Sequence, residues 1–245
     1  MKIDGSIYNN DSVRFTIFKE KCYLIKELTE KKDKIQAYKL RHRIFSQELR
    51  WVSSTENELE IDSYDKDAVF IGVFDIENKL VAFLRLVLPP SAFMIEDIFI
   101  ALIDSEHKIR KETDTIEVSR LCVAPEERNN IIYGNFGIYN ISMLLYKGVY
   151  HWSIRHKIRY LYLVVEYKFY KLLRIKGFPC KLIGKPKIMP DKIIATAAMI
   201  DWQEFEMLNS IKNPEMLKWF SQYQLVPVLR QSRQLASDLL HQASA

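Results

Sequence analysis

No apolar run among the 245 residues approaches the roughly 20 that a bilayer-spanning helix needs, and residues 1–11 carry Lys2 and Asp4 without the apolar core of a secretory leader. A soluble, cytoplasmic protein without a transmembrane segment is expected. Cysteine is scarce as well: Cys22, Cys122 and Cys180 are odd in number, widely separated and lack any Cys-x-x-Cys pair. That pattern supports neither a disulfide framework nor a thiolate zinc site. His151 and His156 are five apart and do not share a helical face, so no metal site is expected. Internal repeats and low-complexity segments are missing. So are zinc-finger spacing, an RNP-like aromatic strand and a helix-turn-helix glycine, which argues against nucleic acid as the partner.

What is present is enough for a large core. The chain is 48% hydrophobic and 27% charged, consistent with one large domain, or a domain over residues 1–202 followed by a helical C-terminal extension over 203–245. Its net charge of +5 conceals an asymmetry. Acids outnumber bases between Glu56 and Glu117, whereas the stretch 147–192 is strongly basic. That second half reads either as a solvated helix face or as a dock for an acidic partner.

Periodicity and breakers give alternating elements. A strand and turn are expected over 14–28, and a helix over 30–49 with Ile35, Tyr38, Leu40, Ile44 and Phe45 on its apolar face and Thr29 as N-cap. Residues 51–67 read as an acidic loop. Antiparallel strands over 68–74 and 80–88 flank a short connection, a short helix follows over 95–103, and a further strand covers 115–123. A long apolar helix over 138–156, a strand over 160–165, a helix over 168–176 stopped by Gly177, and a late strand over 193–202 complete a mixed α/β layer pattern. In the tail, Asn213 and Pro214 resemble an N-cap and first helical position for 216–224, and 229–242 reads as a second amphipathic helix.

Within this frame six charges, Arg41, Asp62, Asp65, Arg85, Glu117 and Arg120, stand beside Phe45, Trp51 and Phe99 in otherwise apolar segments. Buried charge costs several kcal/mol per ion unless it is paired, so such charges surround either a polar ligand or each other. Arg41 and Phe45 are four apart and share a helical face. Asp62 and Asp65 could lock Arg41 or Arg85 bidentately. On a regular strand Glu117 and Arg120 would point to opposite faces, so they can meet one cleft only if that strand is bulged. A purely architectural salt-bridge network is the competing reading for the aspartates and arginines, and ordinary core packing for the aromatics.

Taken in order, Arg41-x-x-x-Phe45, Trp51, Glu60-x-Asp62-x-Tyr64-Asp65, Arg85, Asp97-Ile98-Phe99 and Glu117-Val118-Ser119-Arg120 resemble the acyl-homoserine-lactone synthases, the autoinducer synthases of quorum sensing, over residues 15–202. Glu48 and Ser53 depart from the usual pattern. The resemblance implies an N-acetyltransferase-like αβα sandwich whose mixed central sheet splays apart to admit an acyl thioester, with the strand at Glu117 bulged. It implies acyl transfer to S-adenosylmethionine, a substrate rather than a cofactor, and lactone formation with release of methylthioadenosine. Glu117 and Arg120 would then be catalytic, with Glu117 the base, and Arg41, Phe45, Trp51, Asp62, Asp65, Arg85 and Phe99 would bind substrate. Backbone donors beside Cys122 and Val123 are candidates for the thioester oxyanion. Leu144, Leu161 and Val164 are expected to set acyl length.

The stretch 125–132 has no glycine to cradle a coenzyme A pyrophosphate. An acidic acyl carrier protein, docked on Lys147, Arg155, Lys157 and Arg159, is therefore the expected donor. Two rivals stand beside this reading: an N-acyl amino acid synthase using a free amino acid, and a non-enzymatic acyl-binding module.

Overall fold

A computed structural model describes residues 18–134, 137–222 and 224–225. The strands are β1 (Phe18–Glu20), β2 (Tyr23–Glu27), β3 (Val69–Phe74), β4 (Leu80–Val87), β5 (Thr115–Val123), β6 (Ile131–Gly134), β7 (Gly137–Asn140), β8 (Tyr160–Glu166), β9 (Lys181–Leu182), β10 (Lys187–Ile188), β11 (Ile194–Asp201) and β12 (Gln224–Leu225). The helices are α1 (Lys31–Arg41), α2 (Met94–Asp97), α3 (Ile141–Arg155), α4 (Tyr167–Ile175), α5 (Trp202–Lys212) and α6 (Pro214–Ser221). The main sheet runs β10-β11-β8-β5-β4-β3-β2-β1-β12, with β9 also paired to β11. Every pairing in it is antiparallel except β5 with β8, which are parallel and joined through α3. A parallel pair needs such a crossover, and α3 supplies it.

Alternation along the strands builds two apolar faces. Phe70, Phe74 and Phe83 pack with Leu40, Ile44 and Phe45 of α1 and its extension on one side. Ile71, Val73, Val81, Leu84 and Leu86 pack with Leu144, Leu145, Val149 and Trp152 of α3 on the other. Phe205 of α5 and Trp219 and Phe220 of α6 belong to that same second cluster, so the C-terminal helices share the core of the main fold. The result is the expected αβα sandwich with a mixed sheet. Among the described residues no helix is long and apolar enough to cross a membrane.

The strands over 69–74, 80–87, 115–123, 160–166 and 194–201 lie where β-branched and aromatic runs put them. α4 ends as foreseen, with Gly177 at φ +92, a conformation other residues rarely adopt. Other expectations are corrected. Glu30 rather than Thr29 occupies the N-cap of α1, with no side-chain capping bond. The regular helix stops at Arg41 and continues as a π-helix over His42–Glu48. The span 95–103 breaks into α2 and a 3-10 turn at Ile100–Leu102. The helix expected from 138 begins at Ile141, because Ile138 and Tyr139 pair with β6 and Tyr139 stacks 4.3 Å from Trp219. α5 falls within the expected helical C-terminal extension, although no individual helix was placed over it. Asn213 precedes Pro214 as expected, yet its amide bonds Asn209 instead of capping α6. The strand start at 14–17 and the helix over 229–242 lie outside the described residues.

Candidate active site

β5 and β8 run together from Thr115 and Tyr160 to Val118 and Leu163, then part. Beyond that point, among the described residues, β5 pairs only with β4, and β8 only with β11. The sheet therefore opens into a wedge toward the C-terminal ends of both strands. Between the pairs Arg85 with Ser119 and Phe83 with Cys122, β5 advances three residues against two on β4. The extra residue is accommodated beside Arg120, whose φ of 53 is left-handed. This is a bulge, and it lets Arg120 and Glu117 serve the same side of the strand.

At the bulge the charges converge into one network. Asp65 Oδ1 accepts from Nη1 of Arg41 and from Nη1 of Arg85, each at 2.7 Å. Asp62 accepts from Arg85 through one oxygen and from Arg120 Nη2 at 2.8 Å through the other. Glu60 accepts from Arg41 Nε, and from Arg120 through Nε at 3.2 Å and Nη2 at 3.0 Å. Arg41 Nη2 adds an ion pair to Asp62 at 3.7 Å, too long for a hydrogen bond. Three guanidinium groups thus face three carboxylates, the balance that makes burial of so much charge tolerable. The acidic loop is shaped for this. Asp62 caps a 3-10 turn at Ser63–Asp65 by accepting from the Tyr64 amide, and Asp65 Oδ2 accepts the Asp62 amide.

Access divides the set. The side chains of Arg41 and Arg85 are fully buried and that of Asp65 is 5% exposed, whereas Arg120 and Asp62 retain 13% and 20% exposure. Arg120 and Asp62 are the members of the network with the most solvent access. Phe45 lies 5.4 Å from the Arg120 guanidinium and 6.1 Å from the Trp51 ring, and Trp51 is 45% exposed. Phe99 packs half-buried with the cluster of Phe93, Ile95, Leu102 and Tyr162.

Glu117 is almost wholly buried, and its two oxygens accept the backbone amides of Met94 at 2.6 Å and Ile95 at 2.9 Å, at the start of α2. Burial pushes its pKa up to about 7 against the opposing pull of those two amides and of Arg85. The carboxyl is thus poised near neutrality and also anchors α2. A second tie spans the same gap: Tyr64 Oη donates to Asp97 at 2.7 Å, joining the acidic loop to α2.

Ala124 N–H bonds Val81 on β4, so by alternation the Cys122 amide faces β4 too, while the Val123 amide faces the wedge. Of the two backbone donors considered, only Val123 is therefore turned to the cleft. Val164 stands on β8 just past the last pair with β5, half-buried, whereas Leu144 and Leu161 belong to the core beneath.

The docking residues need correction. Lys147 is 1% exposed, bonded to Glu20 at 2.9 Å and 4.6 Å above the Trp219 ring, because both flanks of α3 are covered by other elements. Arg159 is held by Asp201 at 2.8 Å. Arg155, Lys157 and Arg159 all precede β8, at the closed end of the wedge, one strand length or roughly 20 Å from its mouth. The basic surface beside the mouth is instead the outer face of α4, where Lys168, Lys171 and Arg174 are exposed.

Two members of the site were not among the candidate residues. Glu60 stands in the quoted motif with Asp62 and Asp65 but was given no role, and charge balance against three arginines was the signal that could have assigned one. Met94 offers its amide to Glu117 and its sulfur to Arg85 Nη2 at 3.0 Å, a contact no local pattern announces.

Comparison with known proteins bears on the family and the fold. The family model described as autoinducer synthase matches residues 26–208. The acyl-homoserine-lactone synthase of Vibrio anguillarum is 26% identical over 157 residues, 64% of this chain and 79% of that protein. Among solved structures, the CoA-dependent acyl-homoserine lactone synthase BjaI, with SAM and isopentyl-CoA, has a TM-score of 0.62 at 20% identity, covering 78% of this chain and 92% of that one. FeeM, an N-acyl amino acid synthase from uncultured soil microbes, has a TM-score of 0.52 at 13% identity, covering 76% and 93%. The two structural matches speak for the fold alone.

Proposed function

The chain belongs to the autoinducer synthase family, a family of acyltransferases, and from that membership we propose that it makes an N-acyl-homoserine lactone from S-adenosylmethionine and a fatty-acyl thioester. The observation that carries the reading is the join of the wedge to the ionic network. A thioester arm can enter between the parted strands, and a charged amine donor can meet Arg120 and Asp62 at the bulge. S-adenosylmethionine enters as a substrate, and the transfer calls on no separate cofactor.

In the first step the α-amine nitrogen attacks the thioester carbonyl. A C–N bond forms, the C–S bond breaks, and the thiol leaves with a proton. The amine must first lose its own proton, and Glu117, held near neutrality by burial, accepts it directly or by relay through solvent. The Val123 amide faces the developing oxyanion. In the second step the carboxylate attacks the γ-carbon, the C–S bond to the sulfonium breaks, and methylthioadenosine leaves as the lactone ring closes. Arg120 and Asp62 contact the zwitterion, and Phe45 and Trp51 offer ring faces to its cationic groups. Arg41, Arg85 and Asp65 act by holding the loop that carries Asp62.

The donor arm is carried by an acyl carrier protein, with the basic outer face of α4 as its dock. Lys168, Lys171 and Arg174 follow directly on β8, the strand that forms one wall of the open wedge, and suit an acidic partner.

The test is a competition. The purified protein is incubated with acyl carrier protein thioesters, S-adenosylmethionine and mixed amino acids, and products are identified by mass spectrometry. A lactone with methylthioadenosine supports the reading. An N-acyl amino acid replaces it with the activity named for FeeM, and thioester binding without turnover replaces it with a binding module.

A further inference from the structure

The last turn beyond β5 is where two kinds of thioester donor differ. Coenzyme A carries its pantetheine on a nucleotide with a pyrophosphate and a further phosphate, which must find cations or free amides at the rim of the wedge. A carrier protein presents the same arm on a single phosphodiester and brings its own acidic surface.

Opposite the basic face of α4, on the β5 side of the rim, the described cations Arg43, Lys79 and Arg128 are each already held by a carboxylate. Arg43 lies 2.9 Å and Lys79 3.0 Å from Glu126. Arg128 is gripped bidentately by Glu48, Nη1 at 2.6 Å and Nη2 at 2.8 Å, and its Nε donates to Val123 O at 3.1 Å. By the alternation already described, that carbonyl lies on the wedge edge of β5, so Arg128 is fixed across the way in. The helical turn that follows β5, Pro125–Glu127, is three residues long and starts with proline, so it offers no stack of free amides.

We infer that the Glu48–Arg128 pair is a donor-selectivity element: it occupies the guanidinium best placed for a nucleotide phosphate, adds a negative charge beside it, and so disfavours coenzyme A relative to a protein-borne phosphopantetheine arm. An exposed ion pair contributes little to stability, and the pair's consequence falls on a ligand instead. A phosphate approaching Arg128 must either displace the Glu48 carboxylate or sit beside its negative charge. The proposal rests on the acyl-transfer reading for the identity of the arm, and Glu48 is one of the two positions where the chain departs from the pattern it resembles.

The experiment measures binding of free coenzyme A by calorimetry, which needs no turnover, so a protein that forms no lactone defeats the functional reading without touching this one. Glu48→Gln is expected to bind coenzyme A about 5-fold more tightly at low salt, with the gain shrinking as salt rises. The double variant Glu48→Gln/Arg128→Gln is expected to lose the gain, and thermal melts establish that both variants fold. In steady state, the ratio of kcat/KM for acyl-CoA over the matched carrier thioester should rise in Glu48→Gln. Equal coenzyme A affinity in Glu48→Gln and the unaltered protein overturns the proposal. So does a gain that survives in the double variant, since Arg128 would then have no part in it.

Discussion

Asp65 is the member of the network whose loss should be felt most, and its role can be measured apart from catalysis. One of its oxygens serves both Arg41 and Arg85, and the other receives the Asp62 amide that closes the acidic turn. Asp65→Ala would leave three guanidinium groups facing two carboxylates, with Arg41 and Arg85 fully buried. Removing one partner of a buried pair costs about 3–5 kcal/mol, a large part of the roughly 5–15 kcal/mol by which domains are stable. Asp65→Asn keeps an acceptor oxygen but drops the charge, and about 1.5–3 kcal/mol is expected. Urea unfolding followed by tryptophan fluorescence gives both numbers. Acid provides a second check. Burial alone would raise the Asp65 pKa, but hydrogen bonds and charge from Arg41, with help from the Asp62 amide and Arg85, outweigh it and hold the carboxyl below its usual value. The stabilisation is therefore present above about pH 4 and lost as pH falls through the lowered pKa, so the gap between the unaltered protein and Asp65→Asn should close on acidification. A cost below about 1 kcal/mol for Asp65→Ala, or a gap that widens in acid, would refute the view that this carboxylate binds the loop to the sheet.

Glu117→Gln is expected to lower kcat by roughly 100-fold or more and to remove a rising limb of the pH profile near 7, because only the ionised carboxyl accepts the proton; normal turnover would rule Glu117 out as the base. The same substitution turns an amide N–H toward α2 where Glu117 now accepts, so some loss of stability should accompany it. Lys147→Met should cost roughly 1–3 kcal/mol in urea unfolding by leaving Glu20 without its cation, while KM for a carrier thioester stays unchanged. A raised carrier KM there would return Lys147 to the docking surface. Trp51→Ala should change stability by less than about 1 kcal/mol, since the ring is half exposed, yet raise KM for the amine donor about 3- to 10-fold, the equivalent of one cation–π contact. An unchanged KM would make Trp51 a packing residue.

Most of the sheet could be read from the chain because its strands are long apolar or alternating runs bounded by polar turns, as with 80–87 between Asn78–Lys79 and Pro89. Where reading failed, distant contacts had decided the local structure. Ile138 and Tyr139 sit in a helix-like apolar run, but Tyr139 is claimed by Glu20 at 2.8 Å and by Trp219, residues 119 and 80 positions away. The π-helix after Arg41 has no propensity signature. It accompanies the burial of Phe45, whose carbonyl accepts the amides of Trp51 and Val52. Lys147 looked like a surface cation because charge is normally solvated, and its exception depends on Glu20 arriving from β1, far away in the chain.

By itself the sequence determined the ingredients: an alternating α/β order, a set of arginines and carboxylates too apolar in their surroundings to be idle, and an acidic loop between helix and strand. It could say that Glu117 and Arg120 must share a cleft only if their strand were bulged, because side-chain direction along a strand follows from spacing alone. Tertiary structure decided the rest. The bulge at Arg120, the parting of β5 from β8 and the separation of buried Arg41 and Arg85 from reachable Arg120 depend on which strands become neighbours. Pairing and burial are properties of residues far apart in the chain, and no local pattern encodes which carboxylate a guanidinium will meet.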